Sequence, residues 1–104
     1  IAHITGGGIP GNLPRILPNV PSTGSGQALA ARLDRSAWRV QPIFRLIQER
    51  GDVSEEEMYR TFNMGLGLVL AVSPADVDAV RSQLPEAMVV GEVVRGEEKR
   101  VIFA

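Results

Sequence analysis

The chain has 104 residues, enough for one hydrophobic core and one domain. Hydrophobic residues make up 44% and charged residues 22%, an ordinary globular balance that argues against disorder. The formal charge of -1 leaves no global field for nucleic acid or an acidic membrane, and the absence of cysteine excludes disulfides, thiolate catalysis and zinc-finger sites.

No apolar run is long enough for a membrane span, and no signal peptide is evident. The sequence opens at Ile1 without a Met and is at once strand-like, so it reads as part of a longer protein. In IAHIT (1–5), Ala2 and Ile4 point one way and His3 and Thr5 the other, as in an extended strand. Three glycines follow, Gly6, Gly7 and Gly8. The prolines and glycines of 6–18 then argue against a long helix, leaving a short helical turn from about Asn12 to Leu17, with Asn12 as cap and Pro14 in its first turn.

Residues 21–27, PSTGSGQ, have the composition of a flexible loop. The segment ALAARLD (28–34) suits a strand or a weak helix, and its length and preceding turn favour the strand. Pro42 to Arg50 is predicted as a helix with Ile43, Leu46 and Ile47 on one face, opened by Pro42 and stopped by Gly51. A second helix starts at Ser54, with Glu57 completing a capping box and three glutamates at its positive end. The apolar run LGLVLAV (66–72) predicts a central buried strand. Ser73, Pro74 and Asp76 open another helix, with Val77, Val80 and Leu84 on one face. Strands over 88–94 and about Lys99 to Phe103, joined by a polar turn near Gly96, complete a two-layer α/β domain.

The strand running directly into Gly6, Gly7 and Gly8 is the most distinctive feature. Glycines permit positive φ and close ligand approach, and successive N–H groups can form an anion nest. A tight turn before a proline-rich surface loop explains the same residues. GGGIPGN is neither the nucleotide-binding P-loop nor the Rossmann fingerprint. His3, the single histidine, can serve as donor or general acid–base, or simply bond a backbone carbonyl. Asn63 can offer a bidentate amide to a ligand beside Gly65, or can end a helix. The carboxylates form no paired-acid or metal motif. Glu92 interrupts an apolar strand, which an exposed face explains. Arg15, Arg32, Arg35 and Arg39 cluster loosely, and one of them can reach a phosphate, although ordinary surface positions suit most.

The string AHITGGGIPGNLPRILP (2–18) closely resembles a signature of the AIR synthetase (phosphoribosylformylglycinamidine cyclo-ligase) family. The stretches PIFRLIQERGDVSEEEMYRTFNMGLGLVLAV and VVGEV resemble the family's continuation, and together they span nearly the whole chain. PSTGSGQALA (21–30) departs from the short proline-glycine connection usual there. The resemblance implies part of a C-terminal α/β domain with a mixed sheet carrying helices on one face, and supports the strand at 28–34. It implies a cytoplasmic homodimeric ligase of purine biosynthesis. ATP and Mg2+ would be bound mainly by an N-terminal ATP-binding domain, which this sequence lacks.

The implied reaction cyclises formylglycinamidine ribonucleotide to aminoimidazole ribonucleotide. His3 and Thr5 would then meet the formyl or amidine part, Gly6, Gly7 and Gly8 would cradle phosphate, Asn12 would position the loop or ligand, and Asn63 and Gly65 would line the other side of the cleft. No metal ligand is assigned. Two alternatives stay open. One is a related synthetase or kinase of the same superfamily, which the HITGGGIPGNLPR and TFNMG matches disfavour. The other is a noncatalytic anion-binding or dimerisation module.

Overall fold

The structure, a computed structural model, describes residues 1–18 and 28–104. The loop expected at 21–27 lies outside the described residues. Strand β1 (Ala2–His3) pairs antiparallel with β3 (Leu68–Val69), with His3 opposite Leu68. The ladder extends through Ile4, whose N–H donates to the Gly67 carbonyl at 2.8 Å. The two pairs point opposite ways, as expected, and the structure buries Ala2 and Ile4 while exposing His3 and Thr5.

A second, mixed sheet has the order β4-β2-β5. Its centre is β2 (Ala28–Leu33), antiparallel to β4 (Gly91–Gly96) and parallel to β5 (Val101–Phe103). Ala31 and Leu33 point into the core, with Val101 and Phe103 as their β5 partners. Arg32 points outward and pairs at 3.2 Å with Glu92 directly across the ladder. Glu92 therefore interrupts its apolar strand because it faces solvent.

The helices α1 (Gly8–Asn12), α2 (Pro42–Gly51), α3 (Glu55–Thr61) and α4 (Val77–Gln83) surround these strands. Ile9 of α1 and Met58 of α3 are fully buried, each contributing about 1.5–3 kcal/mol relative to exposure. Trp38 joins the same core and donates its indole N–H to the Met64 carbonyl at 3.0 Å. Tyr59 of α3 tilts against Phe103 of β5, with ring centroids 4.9 Å apart, so helix and sheet meet in aromatic contact. Arg35 lies over both rings and pairs with Glu55 at 3.0 Å. Burial is the main cause that raises the Tyr59 pKa. Asp34 caps the turn Arg35–Ala37; bonds from the Ser36 hydroxyl and then the Ser36 N–H lower its pKa.

Ser54 caps α3 by accepting from the Glu57 N–H at 3.2 Å, as predicted, but the Glu57 carboxylate accepts from the Thr61 hydroxyl at 3.2 Å instead of completing the capping box. Several expectations need correction. The first helix begins at Gly8 rather than Asn12 and then tightens into a 3-10 turn at Leu13–Ile16. Asn12 makes no side-chain cap there, because its amide turns back to the preceding loop. Helix α2 includes Gly51; the left-handed residue that ends it is Asp52 (φ 51), an acidic residue that tolerates this region. The strand expected from 88 starts at Gly91 and continues to Gly96, because it pairs along the whole of β2. The last strand starts at Val101.

The largest correction concerns residues 66–72. Only Leu68 and Val69 pair, and Leu68 is 65% exposed, so the run is not a central buried strand. It instead borders an apolar groove of about 820 Å³ with Val80, Leu84 and Met88. Val77 and Val80 of α4 are half-buried and Leu84 is exposed, because that helix face turns toward the same groove. Among the described residues, no helix is long and apolar enough to cross a membrane.

Candidate functional site

The site begins where β1 ends. After Ile4 is fixed on Gly67, Thr5 turns the chain outward, and the Gly8 N–H closes the turn on the Thr5 carbonyl at 2.9 Å. Gly7 (φ 96) and Gly8 (φ 64) are left-handed, so the turn needs residues without a β-carbon. Gly8 has a second constraint. A β-carbon there would overlap the Tyr59 carbonyl oxygen and lie 3.1 Å from that of Phe62. Gly8 thus seats the loop on the C-terminal end of α3. At Gly6, by contrast, a β-carbon would meet nothing within 4 Å.

Asn12 holds this loop from inside. Among the described residues it is the buried polar one, 6% exposed. Its Nδ2 donates to the carbonyls of Gly8 at 2.7 Å, Thr5 at 3.2 Å and Gly6 at 3.2 Å. Its Oδ1 accepts from the Thr5 hydroxyl at 3.3 Å. One side chain therefore gathers three loop carbonyls, its two amide protons shared among them. Each such bond is worth about 0.5–1.5 kcal/mol net, and losing a partner from a buried group costs more.

Asn63 and Gly65 form a second, adjoining turn. Asn63 Oδ1 accepts from the Gly65 N–H at 2.9 Å, and the Asn63 carbonyl accepts from Leu66 at 3.1 Å. Met64 (φ 53) and Gly65 (φ 104) are both left-handed, and a β-carbon at Gly65 would lie 2.9 Å from the Arg39 carbonyl oxygen. The two turns are joined through the Ile4–Gly67 bond and the contact of Gly8 with Phe62.

The structure thus brings His3, Thr5, Gly6, Gly7, Gly8 and Asn12 into one continuous segment, with Asn63 and Gly65 in the turn beside it. His3 and Thr5 are exposed; Asn12 is enclosed. Arg32 and Arg35 are engaged by Glu92 and Glu55, while Arg15 and Arg39 are exposed. Sequence reasoning missed the Tyr59 and Phe62 carbonyls beneath Gly8, and Trp38 beside Gly65. Backbone carbonyls carry no residue signature, so no local pattern could have found the first pair. Among the described residues, no three of His, Cys, Asp and Glu come together as a metal site.

Comparison with known proteins gives this arrangement a family. The family described as AIR synthase related protein, C-terminal domain, matches residues 1–104, and the chain belongs to it. Its mixed sheet and surrounding helices agree with that α/β domain. Among curated relatives, the chain is 50% identical over 102 residues to the phosphoribosylformylglycinamidine cyclo-ligase of Enterococcus faecalis, covering 98% of this chain and 27% of that protein. It is 46% identical over 101 residues to the enzyme of the same name from Thermoanaerobacter sp., covering 93% and 28%. Identity to the Synechococcus sp. cyclo-ligase is 48% over 104 residues, covering 98% and 27%. The chain therefore spans little more than a quarter of the length of these relatives.

Proposed function

We propose that this chain forms part of the C-terminal domain of a phosphoribosylformylglycinamidine cyclo-ligase and contributes one wall of its active-site cleft. The observation that carries this reading is the loop Gly6–Gly8, held by Asn12 at the end of the strand that exposes His3 and Thr5. Similarity to enzymes of that name over 98% of the chain supports it. In the proposed reaction, ATP phosphorylates the formyl oxygen of formylglycinamidine ribonucleotide. A nitrogen of the same substrate then attacks the formyl carbon, and phosphate leaves as the imidazole ring of aminoimidazole ribonucleotide closes.

The chain's own part is positioning and charge stabilisation. His3 and Thr5 would meet the formyl or amidine end, and the backbone of Gly6, Gly7 and Gly8 would lie against phosphate. Asn12 would hold that backbone in place. Asn63 and Gly65 would shape the neighbouring edge of the cleft. ATP and Mg2+ would be bound mainly by an N-terminal ATP-binding domain; among the described residues, no three of His, Cys, Asp and Glu come together to hold an ion. The complete enzyme would be a cytoplasmic homodimer of purine biosynthesis.

The test replaces the matching 102-residue region of the Enterococcus faecalis enzyme with this chain. ATP-dependent formation of aminoimidazole ribonucleotide by this chimera supports the reading, and a folded chimera without turnover overturns it. In the active chimera, His3→Ala should lower kcat roughly a hundredfold; unchanged kcat and KM would remove His3 from the site. A second reading is a noncatalytic module that binds anions or self-associates, and the exposed apolar groove favours its self-association. A folded chimera that binds phosphate but never turns over would favour that reading.

A further inference from the structure

We infer that Asn12 fixes the hydrogen-bond polarity of Thr5, making the exposed Thr5 hydroxyl an acceptor for a substrate N–H rather than a donor to phosphate. This deepens the proposed cyclo-ligase reading and rests on it. The argument starts from the three carbonyl oxygens around Asn12 Nδ2, those of Gly8 at 2.7 Å and of Thr5 and Gly6 at 3.2 Å. Carbonyl oxygens only accept, so the nitrogen end of the carboxamide must face them. A reversed carboxamide would set four oxygens against one another in a buried site.

With the nitrogen fixed, Oδ1 faces Thr5 Oγ1 at 3.3 Å. An amide oxygen also only accepts, so the single hydroxyl proton of Thr5 goes to it. The lone pairs of Oγ1 remain for a ligand. Neither the carboxamide nor the carbonyls titrate near neutrality, so this polarity does not change with pH there. Asn12 is 6% exposed and Thr5 is exposed on the side of His3, so the buried residue orients and the exposed one makes contact.

A phosphate dianion and a formyl oxygen offer acceptors and would meet lone pairs at Thr5. The amidine of the proposed substrate offers N–H groups and fits. Thr5 would therefore select the amidine over the otherwise identical amide, in which a carbonyl oxygen replaces the amidine nitrogen. Asn12 is a positioning residue in this scheme, acting through Thr5.

The experiment uses the active chimera without ATP and measures binding of the amidine ribonucleotide, its amide counterpart and ribose phosphate by calorimetry. Melting of each variant checks that it is folded. The parent should prefer the amidine. Thr5→Val should reduce that preference about tenfold and leave ribose phosphate binding unchanged, whereas Thr5→Ser should retain the preference. Asn12→Ala, which frees the Thr5 proton, should also reduce it, and the double variant should show less than the sum of the two losses. An unchanged preference in Thr5→Val, or a selective loss of ribose phosphate binding, overturns the inference while leaving the cyclo-ligase reading intact. A folded parent without turnover removes that reading and the inference with it.

Discussion

Ile9 and Leu68 are both aliphatic, yet Ile9 is fully buried and Leu68, paired with the first strand, is 65% exposed. The difference extends to their surroundings. Around Ile9, the glycine loop, α1 and α3 close on one another, and the enclosed Asn12 is fully engaged by the loop. Around Leu68, the side chains of Leu84, Met88 and Val89 stand open along the groove. Both regions have the apolar content for a core. The first also has a backbone fit that lets α1 and α3 approach, through Gly8 on the Tyr59 carbonyl and the amide staple of Asn12. Apolar content alone therefore does not decide which region closes.

The strongest way to break this contrast is to spoil that fit. Gly8→Ala must place a β-carbon into the Tyr59 carbonyl and hold a left-handed φ, so it should cost about 3 kcal/mol or more in chemical denaturation. Gly6→Ala, two residues away in open space, should stay within about 0.5 kcal/mol of the parent. In the chimera, Gly6→Ala should nevertheless raise KM, because its β-carbon occupies the surface proposed for the ligand. Equal destabilisation by the two would refute the division between a seating glycine and an open one.

Next in size is Asn12→Ala. It leaves the Thr5, Gly6 and Gly8 carbonyls without their shared donor, and should cost about 2–4 kcal/mol in the same measurement. A loss under about 0.5 kcal/mol would mean that water replaces the amide and that the loop needs no staple. Trp38→Phe should follow at about 1–3 kcal/mol, since it removes the N–H that satisfies the Met64 carbonyl beside Gly65.

These residues also mark what the sequence could and could not reveal. Period-2 alternation set Ala2 and Ile4 on the face opposite His3 and Thr5, as the burial of the first pair bears out, and Ser54 announced the start of α3. Such signals are local and survive translation into structure. The reach of Asn12 back over the loop was not local: an Asn before Leu-Pro looks like a cap, and only the folded turn offers it three better acceptors. The run at 66–72 misled for a different reason. Apolar continuity shows that side chains suit a buried strand, but it does not supply a pairing partner, and among the described residues only Leu68 and Val69 of the run pair, with His3 and Ala2. The family strings located the His3–Gly8 segment as a candidate site, while the seating role of Gly8 depended on a carbonyl that carries no sequence signal.

The smallest effects should come from the open region, and they sharpen the contrast from its other side. Leu68 and Val89 are 65% and 57% exposed, so most of each side chain remains in water in the folded chain. Replacing either by Ser should therefore change stability by no more than about 0.5 kcal/mol, whereas truncating a large side chain in a closed core costs about 2–5 kcal/mol. The double variant should show near-additive losses, since the two exposed side chains share little packing. It should also bind less of a hydrophobic dye, because the groove loses apolar surface. A core-sized loss at either position would show that the chain closes over Leu68 and Val89 in solution. The difference between the two regions would then be one of order and not of burial.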